Sequence, residues 1–251
     1  MINIPPLRVK RFTAHMRELS IRDAISLAAI PPDMQHEAAS FFIKCAVTKV
    51  DGIVQDTDQW TFQERTMVIC HYMASTYDDG PDFSLDNGSK YSDYLAGRDF
   101  KGDSVDVGEI EGDQWAARQL TGRLACSIER LTGEVEDVNQ YTYWQLALMA
   151  AQMVPNGDAG DDLTDSDLDQ FILDRINVIA GFPESSFSIL LSKWHAAVEE
   201  MQHLIFIAFD SEGVLCLNSD EGGSLGSNPA RFPAGSVVTP LARGMAGKYE
   251  G

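Results

Sequence analysis

Positive charge is scarce in this chain, whose 251 residues carry 19 Lys and Arg against 38 Asp and Glu, a net charge of −19. Such a body repels phosphate backbones and anionic lipid headgroups, so nucleic acid is not an expected partner. Long apolar runs are missing too. The longest strongly apolar stretch, residues 204–209, falls far short of a membrane span, and the MINIPPLRVKRF start has no apolar signal core. No membrane insertion is expected, and the chain should stay in the cytoplasm that makes it. Cysteine is sparse: Cys45, Cys70, Cys126 and Cys216 lie far apart, with no C-x-x-C pair and no histidine at ligand spacing. Neither a zinc ribbon nor a secreted disulfide framework is thereby indicated, and the four read as reduced, mostly buried thiols.

What is present suffices for a packed core, with 44% hydrophobic and 9% aromatic residues. The few cations are unevenly placed. Residues 1–50 hold Arg8, Lys10, Arg11, Arg17, Arg22, Lys44 and Lys49 against Glu18, Asp23, Asp33 and Glu37, a local balance of +3 within an acidic whole. A basic N-terminal segment on an acidic body suits head-to-tail contact with a copy of itself or with an acidic neighbour, and equally an edge strand lined by Arg and Lys.

Residues 7–12 alternate apolar and basic side chains, the period of a strand with one buried face. Ser20-Ile21-Arg22-Asp23 reads as a capping box whose helix ends before Pro31-Pro32, and Asp33 is expected to cap a second helix reaching about Val50. Thr61-Phe62-Gln63-Glu64 is a full capping box for a helix to about Tyr77. Residues 78–101 read as a packed loop, and 105–110 as a strand candidate. Asp113 is expected to open a long helix through Leu131, with Trp115, Leu120, Leu124 and Ile128 on one face, followed by a helix over 140–154. Further helices are expected over 165–179 and 185–203. Residues 204–209 and 214–217 then flank Asp210-Ser211-Glu212-Gly213 as a hairpin.

The expected fold is therefore mainly α, with a short N-terminal strand, a C-terminal β-hairpin and an extended C-terminal arm. Its expected parts are a helical domain over 1–155, a smaller helix-hairpin part over 156–217, and a Gly/Ser/Pro-rich arm over 218–251.

Three motifs imitate chemistry. Gly222-Gly223-Ser224-Leu225-Gly226 has the letters of a nucleophile elbow, but Ser227-Asn228-Pro229 follows where a packed helix should start. Glu200-Met201-Gln202-His203 is half of a di-metal signature without its second copy, and His203 is expected to end a helix with its positive form facing the dipole. Asp165, Asp167 and Asp169 match the start of a calcium loop, yet Gln170 replaces its glycine and Ile176 its final carboxylate. No catalytic residue, metal ligand or cofactor site is assigned. The five histidines are scattered, and the four tryptophans read as core.

The segments 7–12, 17–47 (RELSIRDAISLAAIPPDMQHEAASFFIKCAV), 58–75 (DQWTFQERTMVICHYMAS) and 81–97 (PDFSLDNGSKYSDYLAG) together resemble a family of tailed-bacteriophage tail proteins. So do 120–133 (LTGRLACSIERLTG) and 144–154 (WQLALMAAQMV). The resemblance implies a structural, non-enzymatic component of the tail tip or baseplate, found in the virion tail after synthesis in the host cytoplasm. It implies other tail proteins and copies of itself as partners, and transfers no active-site residue. On this reading Arg8, Lys10 and Arg11 make one partner contact, and Arg231 and Phe232 another. The rival expectations are a tail assembly chaperone absent from the particle, a hydrolase with a spatially assembled site, and an inhibitor of a host protein.

Overall fold

The computed structural model describes residues 2–158, 160–218 and 228–247. Its chain is mixed α/β, 47% helix and 19% strand, with three small sheets, which overturns the expected mainly α fold. The order is β1 (Leu7–Arg8), β2 (Phe12–Met16), α1 (Ile21–Ala28), α2 (Gln35–Ala46), β3 (Val47–Gly52) and α3 (Phe62–Thr76). After a link come β4 (Ser104–Ile110), β5 (Asp113–Arg118), α4 (Gly122–Arg130), α5 (Gln140–Gln152), β6 (Met153–Pro155) and α6 (Asp165–Ala180). The chain closes with α7 (Glu184–Met201), β7 (Phe206–Asp210), β8 (Gly213–Leu217) and α8 (Pro240–Ala246).

Two stretches of this order are the same module. Each is a β-hairpin, two helices, and a strand that continues the second helix directly and returns to the hairpin, giving antiparallel sheets β1-β2-β3 and β4-β5-β6. The returning strands start in matching register, Met16 opposite Val47 and Ala117 opposite Met153. The sequence agrees at a spacing of 101 residues: Arg17, Leu19, Arg22, Ala24 and Ser26 recur as Arg118, Leu120, Arg123, Ala125 and Ser127, with Ser20 and Leu27 as Thr121 and Ile128. Their roles agree as well. Ser20 and Thr121 are N-caps, accepting from the backbone N–H of Asp23 and Leu124. Arg17 Nε donates to the Cys45 carbonyl at 3.0 Å, and Arg118 Nε to the Ala151 carbonyl at 2.8 Å, so each guanidinium ties the hairpin to the end of its module's second helix.

Three expected helices are corrected by this module. Residues 113–118 are strand, because Glu111 and Gly112 both take positive φ (55° and 88°), the backbone of a type I′ hairpin turn. Trp115 and Ala117 then alternate inward as strand residues, and only Gly122–Arg130 is helical. The helices expected to reach Val50 and Val154 stop at Ala46 and Gln152 instead, where the backbone turns extended without a glycine or proline. Both capping boxes, at Ser20 and Thr61, form, whereas Asp33 caps nothing: Met34 stands at the N-cap of α2.

Each module nucleates its own core. One core joins the first module to α3, the link aromatics Phe83, Tyr91 and Tyr94, and the C-terminal Phe232, Ala234, Val238 and Ala242. The other joins the second module to α6, α7 and Val214, so residues on both sides of the 155/156 boundary share it. The described part of the expected arm is not extended. Ala230 pairs with Cys216 through two backbone hydrogen bonds, and α8, capped by Thr239, packs chiefly on α1. The second module is covered in the same region by its own α6.

The modules lock through buried charge. The Glu129 carboxylate on α4 accepts the N–H groups of His36 and Glu37 at 2.8 and 2.9 Å, capping α2 from across the interface. Arg65 on α3 donates to the His36 carbonyl (3.0 Å) and Ser40 Oγ (2.6 Å), and its guanidinium lies over Gly122. Any Cβ at Gly122 would collide with it. Gly122→Ala should therefore cost about 2 kcal/mol or more in chemical denaturation, although alanine is the better helix former.

Burial and the Arg65 charge push His36 down to about 3. A base depressed in the folded state contributes stability above its unfolded pKa of about 6.5 and loses it as pH falls toward the folded value. Unfolding stability should therefore drop between pH 6.5 and 4 by up to about 1.4 kcal/mol per unit from this residue, and His36→Gln should flatten that slope by one proton. Glu129, raised by burial, works in the opposite sense over the carboxylate range, so it is not the source of the loss.

Candidate functional site

The five residues expected to meet partners divide sharply. Arg8 and Lys10 are exposed on the β1–β2 hairpin, and Lys10 Nζ donates to the Phe100 carbonyl at 3.1 Å. Arg11 is buried: it pairs with Asp103 (2.9 Å) and Glu64 (3.5 Å), donates to the Gln59 carbonyl, and lies 5.3 Å from the Phe100 ring centre. Arg231 is held by Asp210 and Glu212 across the turn of the third sheet, β7-β8. Phe232 is core, meeting Tyr94, Tyr91 and Phe83 edge-on at 5.4, 6.2 and 6.4 Å. The structure thus keeps Arg8 and Lys10 available and spends the other three internally.

Those two border a feature that spacing did not reveal. Link residues 98–100 run beside the β1–β2 turn, and between them opens a cavity of about 260 Å³ walled by Arg8, Lys10, Glu64, Arg98, Phe100 and His203. His203 does not end a helix with its positive form facing the dipole, as expected. It lies two residues past α7, only 3% exposed, with Nδ1 at 3.1 Å from the Met201 carbonyl and the Phe100 ring edge-on at 5.0 Å. A carbonyl only accepts, so Nδ1 carries the proton, and Nε2, closed to solvent and without a hydrogen-bond partner among the described residues, keeps a lone pair. Burial and the Arg11 charge, against a smaller opposing effect of the Met201 carbonyl, hold the imidazole below its usual pKa.

Two roomier concavities lie elsewhere. One, of about 630 Å³, lies between loop 53–59 and the second module; its cations Arg118 and Arg123 are matched by Asp161 and Asp165. An apolar groove of about 360 Å³ runs between α5, α7 and the β7–β8 hairpin, lined by Trp194, Phe209 and the half-exposed Tyr141.

The calcium-loop imitation dissolves into separate partners: Asp165 pairs with Arg123, Asp167 with the N-cap hydroxyl of Thr164, and Asp169 with Arg130 and Ser127. Glu200 turns to Lys101 at 3.8 Å, away from any joint site with His203. Among the described residues no group of His, Cys, Asp and Glu is arranged to hold a metal. The G-x-S-x-G stretch, 222–226, lies outside the described residues. No helix among them is long and apolar enough to cross a membrane. The chain matches no family model, no curated protein and no solved structure.

Phe232→Ala should cost about 3–5 kcal/mol as a core truncation, and Arg11→Met should cost several kcal/mol by leaving Glu64 buried without its partner. Arg8→Ala and Lys10→Ala should stay within about 0.5 kcal/mol of the parent. Thermal or urea unfolding of the four variants tests this division.

Proposed function

We propose that the protein is a structural component of a bacteriophage tail tip or baseplate that acts through protein–protein contacts. The reading begins from the resemblance of segments 7–12, 17–47, 58–75, 81–97, 120–133 and 144–154 to that class of tail protein. One structural observation supports it further: most of what the two modules have in common is framework. The shared positions include the N-caps, the core pair Leu27 and Ile128, and the arginine tie to the second helix, which support the same arrangement twice in one chain. A duplicated frame presents two related but non-identical surfaces, which suits a subunit that sits between neighbours.

The exposed cations Arg8 and Lys10 against an otherwise acidic body give such contacts a direction, basic hairpin to acidic neighbour. Quantitative mass spectrometry of purified tailed particles assembled with this chain tests the proposal. A small fixed ratio to the major tail protein is the expected result. Absence from particles, with abundance in the lysate, would replace it with an assembly chaperone.

A further inference from the structure

We infer that β3 pairs edge to edge with β3 of a second copy of this chain, antiparallel about Val50, so that the β1-β2-β3 sheets of two molecules join into one. Such a contact gives the proposed structural subunit a way to meet its own kind, but the pairing itself rests only on the geometry and charge of this strand.

The outer edge of β3 has backbone to give. Val9 N–H donates to the Phe12 carbonyl across the β1–β2 turn, and Ile53 N–H donates to the Arg11 carbonyl. Bonded and unbonded pairs alternate along an antiparallel ladder, so β2 spends Phe12 and Ala14 on β1 and Arg11, Thr13 and His15 on β3. Asp51 opposite Thr13 and Lys49 opposite His15 are then the bonded residues of β3, and Val50 opposite Ala14 is not. The N–H and C=O of Val50 therefore point away from β2, and among the described residues no strand pairs with that edge. Solvent reaches it as well: Thr48, Lys49, Asp51 and Gly52 are exposed, and Ile53 just beyond them is 86% exposed.

The second module closes the equivalent edge. Its β6 has three residues, two of them buried, and ends on Pro155, which has no N–H for an added strand, with Asn156 at φ 51° turning the chain away. β3 has six residues and no proline, and its bulge, between His15 and Met16, leaves Lys49 to Asp51 in register. Charge then selects the partner. Lys49 and Asp51, two residues apart, share one face. A lysine on an edge ordinarily discourages pairing, because nothing on the added strand answers its charge. Pairing about Val50 sets Lys49 of each copy opposite Asp51 of the other, twice by symmetry, in the same register that closes two hydrogen bonds between the Val50 residues and brings Ile53 opposite Val47. Asp51 already meets Lys49 Nζ at 2.6 Å and His15 Nε2 at 2.9 Å in its own chain. A carboxylate has about four acceptor sites and an ammonium about three donors, so the new pairs displace neither. The repulsion between two acidic chains is also least on this side, since residues 1–50 are net positive.

Analytical ultracentrifugation of the full chain tests this. The contact is short, so the monomer–dimer equilibrium should have its midpoint between about 10 µM and 1 mM. Asp51→Lys and Lys49→Asp each set like charges opposite one another and should weaken self-association roughly tenfold or more, whereas the two variants mixed in equal amounts should pair with each other about as tightly as the parent pairs with itself. Val50→Pro removes an outward N–H but no bond to β2, so it should keep the parent circular dichroism spectrum and lose the dimer. Where Val50→Pro does not fold, the exposed charge variants decide. A parent chain that stays monomeric at about 1 mM overturns the inference, and so does a dimer that the charge variants leave unchanged or that mixing them does not restore. Sedimentation reads the isolated chain, so failure here is distinguishable from failure of the tail-particle measurement.

Discussion

The structure depends on one contact in which two modules share a helix terminus. Glu129, on the second module, supplies the cap that α2 of the first module lacks, since Met34 at its N-cap has no side-chain oxygen to offer. A carboxylate this buried is costly, and burial indeed raises its pKa. The cost is offset by the two backbone N–H groups, by the α2 dipole, and by the nearby positive charge of Arg65. Removing either charge would leave the other buried without compensation, so the interface is held as a unit rather than as a sum of pairs.

Duplication explains why this contact exists and why it exists only once. Position 122 must be glycine because Arg65 lies on it, whereas the equivalent Ile21 is half exposed. Ser127 bonds Asp169, whereas the equivalent Ser26 is exposed. The second copy of α1 has become an interface helix, buried by α2, α3 and α6, while the first copy is covered by α8 returning from the C-terminus. Divergence between the copies thus follows what each helix must pack against. The shared arginine tie and N-cap are kept because the local fold requires them in any setting.

The sequence carried this duplication in plain letters, R-x-L-[ST]-x-R-x-A-x-S-[LI] at 17–27 and again at 118–128, yet periodicity alone did not expose it. Caps were legible because Ser20–Asp23 and Thr61–Glu64 act locally. The C-terminal hairpin was legible because its two apolar runs bracket a turn. The helix-to-strand junctions at Ala46 and Gln152 were not, since no breaker marks them and the returning strands exist only by pairing with a distant hairpin. Strand β5 was hidden because Trp115 and Leu120 also fit a helical stripe, and Glu-Gly is a weaker hairpin signal than Asn-Gly. His203 was misread for a related reason. Its sequence neighbours suggested a helix end, while its burial comes from Phe100 and the link, about a hundred residues away along the chain.

Scarcity of cations shapes both the interior and the surface of the fold. Arg11, Arg17, Arg65, Arg118, Arg123, Arg130 and Arg231 each hold a carbonyl, a hydroxyl or a carboxylate inside the protein or across its seams. Arginine suits that work because its planar fork serves several acceptors at once while keeping its charge. The consequence is a surface left strongly acidic, on which Arg8 and Lys10 stand exposed together on the β1–β2 hairpin without an ion pair among the described residues. A chain with net charge −19 that keeps two exposed cations side by side on one hairpin has an uneven field, positive there against an acidic remainder.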